Sequence, residues 1–391
     1  MKSSKPHILI FEPGIVGHRL TWLQYIAEDF HDIGFDITLA VDFRAEAKGL
    51  LEERLSQFLP GVDILSVFNE DGKWRGGSKM SALEECRKLS GAEDVFVNEF
   101  DEIASSLFRR AAFGILPPPA LQGHLSGVYF RPRFLTDPLR PLGNIIKAAG
   151  FRRLCRGGWF KHLYLMDEYL FSSLQNSHEA PQFHFLPDPW SGDFSSPTGS
   201  ARAELGIPTD KFVFLHYGMA SRRKGLHLAV EAMEALKEQT KLLLLCAGSI
   251  GHDRGLLRRI ATLEDRGSAK LLNRYVSDAE ECLCFSAADV VLLPYIRHYG
   301  SSGVLSRAAV AGKMVIASDE GILARRVHDH HLGWLFHRQN KGELKERMQV
   351  ASLLKPADRD HFRKMSLRYA ETCSRDAFRA ALLLPWGRSL M

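Results

Sequence analysis

Residues 212–236 read FVFLHYGMASRRKGLHLAVEAMEAL, and the order of their apolar and turn residues decides the fold class. Residues 212–216 form an apolar run of strand length. A loop bounded by Gly218 and Gly225 follows, and residues 226–236 are predicted to form a helix. Strand, glycine-bounded loop and helix in this order are typical of doubly wound parallel sheets.

The same unit occurs at the start of the chain. Residues 7–11 form an apolar run, residues 13–17 are rich in turn residues, and the apolar side chains of 18–30 fall on one helical face. Residues 35–41 then read as a second strand, so each half of the chain implies a parallel sheet. Further strands are predicted at 94–97, 126–130, 242–247, 289–293 and 314–317, and further helices at 83–89, 103–113 and 304–311.

A stretch rich in Ser, Gly and Pro, residues 190–202, separates the two halves and is interpreted as a linker. At roughly 150 residues per domain, a chain of 391 residues corresponds to two or three domains. We therefore predict an α/β protein with two doubly wound, Rossmann-like domains, one over 1–195 and one over 205–374. Ligands of such sheets sit beyond the carboxyl ends of the strands, so we expect the site in the cleft between the domains.

Composition excludes several classes of protein. Hydrophobic residues make up 45% and charged residues 25%, which excludes global disorder. The six cysteines are scattered, and His328, His330 and His331 lack the companions of a zinc site, so we predict no metal, no cofactor and a reducing compartment. The apolar runs are shorter than the about 20 residues of a membrane helix, and the start does not read as a signal peptide. We expect a cytoplasmic protein, soluble or peripheral to the inner face of the membrane.

The loop between Gly218 and Gly225 carries three adjacent cations, Arg222, Arg223 and Lys224. Arginine binds phosphate through paired hydrogen bonds and lysine binds it as a point charge. The loop is therefore a candidate phosphate site, with a solvated basic turn as the alternative.

A second loop contains Tyr299, Ser301, Ser302 and Gly303 and lies between a predicted strand and a predicted helix. Small residues let a ligand approach the backbone, and hydroxyl groups add hydrogen-bond donors. An ordinary turn is the alternative. Because both loops follow strands of one sheet, we expect them at the same edge, where together they form a phosphate cradle.

The first loop of the chain ends in Gly17 and His18 at a predicted helix start. The N–H groups and the dipole of a helix N-terminus attract phosphates, carboxylates or sugar hydroxyls. A tight strand-to-helix turn explains the same residues. His18 is accordingly a candidate ligand contact.

Residues 131–161 interleave basic side chains with apolar ones, and Asp137 is the only acidic residue among them. No nucleic-acid recognition motif accompanies the cations. We therefore predict that this stretch contacts a membrane surface or an acceptor, and that nucleic acid is not a partner.

These motifs resemble those of GT-B glycosyltransferases, and in particular the family 4 retaining enzymes, which use nucleotide sugars. Besides 212–236, the segment AADVVLLPYIRHYGSSGVLSRAAVAGKMVIASDEG (287–321) resembles the donor-binding segment of that family. FHFLPDP (183–189) is similar to its pre-linker segment, and residues 14–41 are similar to its first glycine loop and helix. The resemblance implies a GT-B fold in which a last helix, within 375–391, packs back on the N-terminal domain.

Four positions depart from the family pattern. Two glutamates, which in the family contact the donor sugar and the ribose, are replaced here by Tyr299 and Arg307. Met219 stands where an arginine usually follows the loop glycine, and Arg131 stands where a sugar-contacting histidine often lies. The positions that match the family are Lys224, Ser301, Ser302 and Gly303.

Arg307 is about one helical turn beyond Gly303, so its side chain leans back toward the loop. We predict that it faces the cleft and binds a further phosphate or carboxylate of the ligand. The alternative is a structural ion pair with Asp319 or Glu320.

The resemblance implies a retaining hexosyl- or related glycosyltransferase that moves a sugar from a nucleoside diphosphate sugar, without a metal ion. The acceptor would be a glycan or a lipid-linked molecule, as in the synthesis of cell-surface polysaccharides. The residues expected to bind the donor and its phosphates are Gly17, Gly218, Arg222, Arg223, Lys224, Tyr299, Ser301, Ser302, Gly303 and Arg307, and the catalytic candidates are His18 and Arg131.

Two alternatives remain open. A non-catalytic binding protein of the same fold is favoured by the two replaced glutamates. A sugar-phosphate epimerase would instead use carboxylates such as Glu12, Glu99 and Asp101, together with His18.

Overall fold

The computed structural model describes residues 5–14, 18–55, 61–136, 141–175, 183–251 and 253–387. The chain divides into two compact units, Met1–Leu186 with Phe378–Met391 and Pro187–Ala377. Each unit is built on one parallel β-sheet, so the predicted α/β fold with two Rossmann-like domains is confirmed.

Within the described residues, the first unit contains seven strands and, apart from the last helix of the chain, seven α-helices. Its strands are β1 (His7–Glu12), β2 (Asp36–Val41), β3 (Asp63–Ser66), β4 (Asp94–Val97), β5 (Leu125–Tyr129), β6 (Phe160–Leu165) and β7 (Phe183–Phe185). Its helices are α1 (His18–Asp32), α2 (Ala45–Leu55), α3 (Lys79–Ser90), α4 (Asp101–Ala112), α5 (Arg133–Thr136), α6 (Leu142–Arg156) and α7 (Glu168–Gln175). The strand order is β3-β2-β1-β4-β5-β6-β7. From β1 the chain first adds strands on one side and then on the other, as in a doubly wound sheet.

The second unit repeats this plan with six strands. They are β8 (Phe212–Tyr217), β9 (Leu242–Ala247), β10 (Ala269–Leu272), β11 (Val290–Leu293), β12 (Met314–Ser318) and β13 (Gly333–Phe336), in the order β10-β9-β8-β11-β12-β13. The helices are α8 (Thr198–Glu204), α9 (Leu226–Ala235), α10 (Arg254–Asp265), α11 (Asp278–Ala287), α12 (Gly303–Val310), α13 (Gly321–Asp329), α14 (Lys341–Ser352) and α15 (Pro356–Thr372), and α16 (Arg375–Leu383) runs from this unit into the first. Among the described residues, no helix is long and apolar enough to cross a lipid bilayer.

Both faces of each sheet are buried, and strand β1 shows why the sequence demands it. Leu9 and Phe11 belong to one hydrophobic core, whereas Ile8 and Ile10 belong to another. Successive side chains of a strand point to opposite faces, so a continuous apolar run needs helices on both sides of the sheet. Strand β8 alternates in the same way between the two cores of the second unit.

Helix α16 completes the core of the first unit. The ring of Phe378 packs edge-on against Trp22, with the ring centroids 5.1 Å apart. Arg379 donates hydrogen bonds to Asp29 at 2.8 Å and to Asp32 at 2.7 Å. The apolar face and the ion pairs of α16 therefore both attach it to α1.

The stretch 190–202, read from its composition as a linker, is partly helical. Helix α8 begins at Thr198, and Arg202 on it is buried. The Arg202 guanidinium donates to Asp289 at 2.6 Å and to the carbonyl of Ala287 at 3.0 Å. These bonds fix α8 against the residues that precede β11, which composition alone does not reveal.

Helices α4 and α6 approach each other closely because residue 150 is glycine. A Cβ atom at Gly150 would lie 1.7 Å from the carbonyl oxygen of Phe108. The rings of Phe108 and Phe151 fill the adjoining space with centroids 5.2 Å apart. A methyl group at position 150 can therefore be accommodated only if the two helices separate.

Gly150→Ala is expected to lower the free energy of unfolding by about 2 kcal/mol or more, the scale of core overpacking. Gly143→Ala on the same helix is the matched control, because nothing lies within 4 Å of a Cβ atom there. Urea unfolding of both variants measures the difference. Equal stability of the two variants would contradict the proposed packing role of Gly150.

Candidate functional site

The loops that follow β8 and β11 meet at the carboxyl edge of the second sheet. Strand β8 pairs with β11 in parallel, so the two loops leave the sheet on the same side. Gly225 has a φ of 71°, and a Cβ atom there would lie 1.8 Å from the carbonyl oxygen of Pro294. Only glycine allows this conformation and this approach together.

Lys224 belongs to the loop after β8, and its side chain reaches the loop after β11. Its Nζ atom donates to the Tyr295 hydroxyl at 3.1 Å and lies 4.9 Å from the centre of the Tyr295 ring. The same hydroxyl lies 3.4 Å from Oγ of Ser302, at the start of α12. Lys224, Tyr295 and Ser302 therefore form a continuous polar chain from one loop to the other.

The buried His216 fixes the backbone of Lys224 by a hydrogen bond. Its Nε2–H group donates to the Lys224 carbonyl at 3.0 Å. Burial lowers the pKa of His216 to about 4, so the imidazole is neutral at physiological pH. The position of the Lys224 main chain is thus fixed by an uncharged donor in the core.

The loop before α12 is held in part by His298 and Arg326, which the sequence pattern did not single out. Arg223 donates to Nδ1 of His298, which leaves the Nε2–H of His298 to donate to the carbonyl of Ser301 at 3.0 Å. The hydroxyl of Ser301 accepts from the buried Arg326 at 2.6 Å. His298 adjoins Tyr299 in sequence and could have been noticed, whereas Arg326, on α13, gives no local signal.

Arg222 and Met219 extend from this edge into solvent. The side chain of Arg222 is exposed and forms no hydrogen bond or ion pair with the described residues. Met219 is 73% exposed. Gly218, with a φ of 99°, lies beside Lys224, whose Nζ would be 3.3 Å from a Cβ atom at position 218. The predicted loop residues Gly218, Arg222, Arg223, Lys224, Ser301, Ser302 and Gly303 thus lie at one edge.

Arg307 pairs with a carboxylate other than the two expected. Its Nε atom donates to Glu281, on α11, at 2.6 Å, and Nη1 donates to the carbonyl of Gly303 at 3.0 Å. Glu320 instead accepts from Arg338 at 2.9 Å, and Asp319 accepts from the Arg338 main chain at 2.8 Å. The alternative of a structural ion pair therefore describes this contact, but with Glu281, 26 residues away in sequence, in place of Asp319 or Glu320. That Arg307 also binds a ligand group in the cleft stays a prediction.

Arg131, predicted as catalytic, lies in the first unit within a network of carboxylates. It donates to Glu99 at 2.6 Å and lies 3.4 Å from Asp101. Arg19, which sequence reasoning missed, joins the network by pairing with Glu99 at 2.6 Å and Glu102 at 2.7 Å. The catalytic role of Arg131 stays a prediction.

The other N-terminal candidates are placed only in part. Gly17 lies outside the described residues, and only the main chain of His18 is described, at the start of α1. Glu12 accepts from the Gly14 amide at 2.8 Å and from Asn98 at 2.8 Å. Burial raises the pKa of Glu12 to about 7 in spite of these donors.

Metal-ligating side chains do not cluster in the described part of the chain. No group of three or more His, Cys, Asp or Glu residues there could hold a metal ion. His328 is exposed in the last turn of helix α13, and its Nδ1 atom lies 2.8 Å from the Asp329 carboxylate. Cys282 and Cys284 are buried on α11.

Comparison with known protein families agrees with the geometry of the second unit. Residues 198–366 match the family described as glycosyl transferases group 1. This segment includes both loops at the carboxyl edge and most of the second unit. A search of curated protein sequences gives no match.

Solved glycosyltransferase structures share the fold of the whole chain. HepE from Anabaena, solved with UDP, is 16% identical, has a TM-score of 0.70, and is matched over 98% of this chain and 99% of its own. Sucrose-phosphate synthase from Thermosynechococcus elongatus is 14% identical, has a TM-score of 0.68, and is matched over 98% of both chains. WaaG, a glycosyltransferase of lipopolysaccharide biosynthesis, is 16% identical with a TM-score of 0.67, over 97% of this chain and 100% of its own. The fold is thus GT-B, as the sequence predicted.

Arg307→Ala is expected to lower the free energy of unfolding by about 2–4 kcal/mol, because Glu281 would keep a largely buried charge without its partner. Glu281→Gln removes the charge of that carboxylate but keeps an oxygen that accepts from Arg307. It should therefore lower the free energy of unfolding by less than Arg307→Ala does. A double-mutant cycle in urea measures the coupling between the two residues. A coupling energy near zero would contradict the ion pair as a stabilising contact.

Proposed function

We propose that the protein is a glycosyltransferase that binds a nucleoside diphosphate sugar at the carboxyl edge of the second unit. The observation that carries the proposal is the chain from Lys224 through Tyr295 to Ser302, which brings a cation and a helix start to one point. The match of 198–366 to glycosyl transferases group 1 supports it. HepE, which shares the fold, is solved with UDP and with UDP-glucose.

In this proposal the protein stabilises the negative charge that develops on the leaving diphosphate. Lys224 would neutralise one phosphate, and the exposed Arg222 has donors left for the other. Backbone N–H groups at the start of α12, near Ser302 and Gly303, would add hydrogen bonds. Cations would take the place of a metal ion, and the resemblance to family 4 enzymes favours retention at the anomeric carbon.

A non-catalytic binding protein of the same fold is the second candidate. Arg307 occupies the position of the glutamate that contacts the ribose in family 4 enzymes, and its guanidinium offers donors only. Its pairing with Glu281 shows that the position now holds an ion pair. Detection of sugar transfer or of donor hydrolysis with UDP-, GDP-, ADP- and TDP-sugars distinguishes the enzyme from the binding protein.

Lys224→Ala is expected to weaken binding of the preferred nucleoside diphosphate by about 1.5–3 kcal/mol, the scale of a charge-assisted hydrogen bond. A thermal-shift screen identifies the nucleotide, since a ligand of the native state raises the unfolding temperature, and calorimetry then gives the affinity. Lys237→Ala is the control, because Lys237 is exposed beyond the far end of α9. Unchanged affinity in a folded Lys224→Ala protein would refute the phosphate role.

We also propose that the acceptor is reached at an anionic membrane surface through α6 and the loop after α4. The outward face of α6 carries Leu142, Ile145, Ala149, Arg152 and Arg156 at helical spacing, all exposed. The loop after α4 exposes apolar side chains beside Arg153, and these are Phe113, Ile115 and Leu116. Apolar side chains flanked by cations are typical of surfaces that bind anionic lipid.

We expect the wild type to co-sediment with anionic liposomes. A triple variant should not co-sediment when Gln replaces Arg152, Arg153 and Arg156. High salt should release the wild type as well, since it screens the attraction. The control changes the same charge elsewhere, by replacing the exposed Arg254, Arg258 and Arg266 of the second unit with Gln. Co-sedimentation that is equal for neutral and anionic liposomes, or equal for the two triple variants, would contradict the proposal.

A further inference from the structure

A pocket opens at the amino edge of the second sheet, where β8, β11 and β12 begin. Its volume is about 340 Å3, within the range of small-ligand sites. The lining includes the ring of Phe212 and residues that precede β11 and β12, with α15 on the outer side. The phosphate loops described above follow the carboxyl ends of β8 and β11, so this pocket lies at the opposite edge of the same sheet.

Three cations line this pocket without a carboxylate partner. Lys313, Arg359 and Arg363 form no ion pair with the residues that the structure describes. The two carboxylates in the lining are already neutralised by other cations. Asp289 pairs with Arg202 at 2.6 Å, and Asp360 pairs with Lys364 at 2.8 Å.

Lys313 is the most informative of the three cations, because its ammonium group is half-buried. Within the described chain, the only hydrogen bond of this ammonium group goes to the carbonyl of Ser286, at 3.0 Å. Burial lowers the pKa of Lys313 to about 8; the Asp289 carboxylate opposes this shift, whereas Arg202 and Arg363 act in the same direction as burial. A partly buried lysine among arginines is costly unless an anion offsets the charge.

The outer wall of the pocket adds donors and an aromatic face. The Arg359 guanidinium lies 5.0 Å from the centre of the Phe212 ring. Arg363 passes over Gly312, where a Cβ atom would lie 2.9 Å from Cγ of that arginine. The side chain of Arg363 forms no hydrogen bond with the described residues, so its donors remain available to a ligand.

We propose that this pocket binds a small phosphorylated molecule, with the phosphate group held by Lys313, Arg359 and Arg363. Arg359 already donates through Nε and Nη2 to the carbonyls of Leu354 and Ser352, so its remaining donors, the paired donors of Arg363 and the point charge of the lysine would hold a dianionic phosphate. The pocket is larger than a lone phosphate needs, and its apolar lining by Phe212 and Met314 favours a ligand with a carbon skeleton, such as a sugar phosphate. The site goes beyond the proposed sugar transfer and does not depend on it.

Calorimetry of the full chain tests the site with three probes: inorganic phosphate, glucose 6-phosphate and glucose. We expect inorganic phosphate and glucose 6-phosphate to bind, glucose 6-phosphate more tightly, and glucose not to bind. Arg363→Met keeps the aliphatic stem over Gly312 and should weaken glucose 6-phosphate binding roughly tenfold or more, the scale of one charge-assisted hydrogen bond. Arg359→Met should act in the same direction if Arg363→Met does not fold.

Two control variants separate this site from the nucleotide site and from general charge. Arg368→Met removes an exposed cation from the same helix outside the pocket and should leave affinity unchanged. Glucose 6-phosphate binding should also be unchanged in the wild type when UDP is present to occupy the other edge, and in Lys224→Ala without UDP. The proposal is overturned if neither phosphorylated probe binds, if Arg363→Met and Arg368→Met bind equally, or if Lys224→Ala abolishes binding.

Discussion

The approach of Gly225 to the carbonyl of Pro294 is the constraint on which the candidate nucleotide site depends. Any side chain at position 225 would collide with that carbonyl, whose oxygen would be 1.8 Å from the Cβ atom. The close contact places Lys224 against Tyr295 and so connects the loop after β8 with the start of α12. The neutral His216 supports the same turn from inside the core. Gly225 thus determines the position of the Lys224 side chain.

Helix α12 connects the two edges of the second sheet. It begins at Gly303 in the proposed nucleotide site and ends at Val310, two residues before Gly312 and three before Lys313 at the proposed phosphate pocket. The Arg307–Glu281 ion pair fixes the middle of this helix to α11. A ligand bound at either proposed site would therefore contact a residue at or just beyond one end of the same short helix.

The fold was predictable because its strands are buried on both faces. Residues 242–247 are apolar without interruption and form β9 with the predicted bounds. The glycine-bounded loops were predictable for the same reason, since each follows such a strand. The binding and catalytic roles of the loop residues stay predictions.

Contacts between distant segments could not be predicted from the sequence. Arg307 pairs with Glu281 across 26 residues, and Arg326 reaches Ser301 across 25 residues. Spacing along one element says which side chains share a face, but it does not say which helix packs opposite. The phosphate pocket at the amino edge was missed for this reason, because Lys313 and Arg363 come from separate elements.

Hydrogen–deuterium exchange with and without UDP shows whether a nucleotide binds between the two loops at the carboxyl edge. The account predicts slower exchange of backbone amides in 218–225 and 299–305 when UDP binds, because both loops would contact the diphosphate. Exchange within 356–363, at the opposite edge of the sheet, should stay unchanged. The account would be contradicted if saturating UDP left both loops unprotected, or if it protected the 356–363 segment instead.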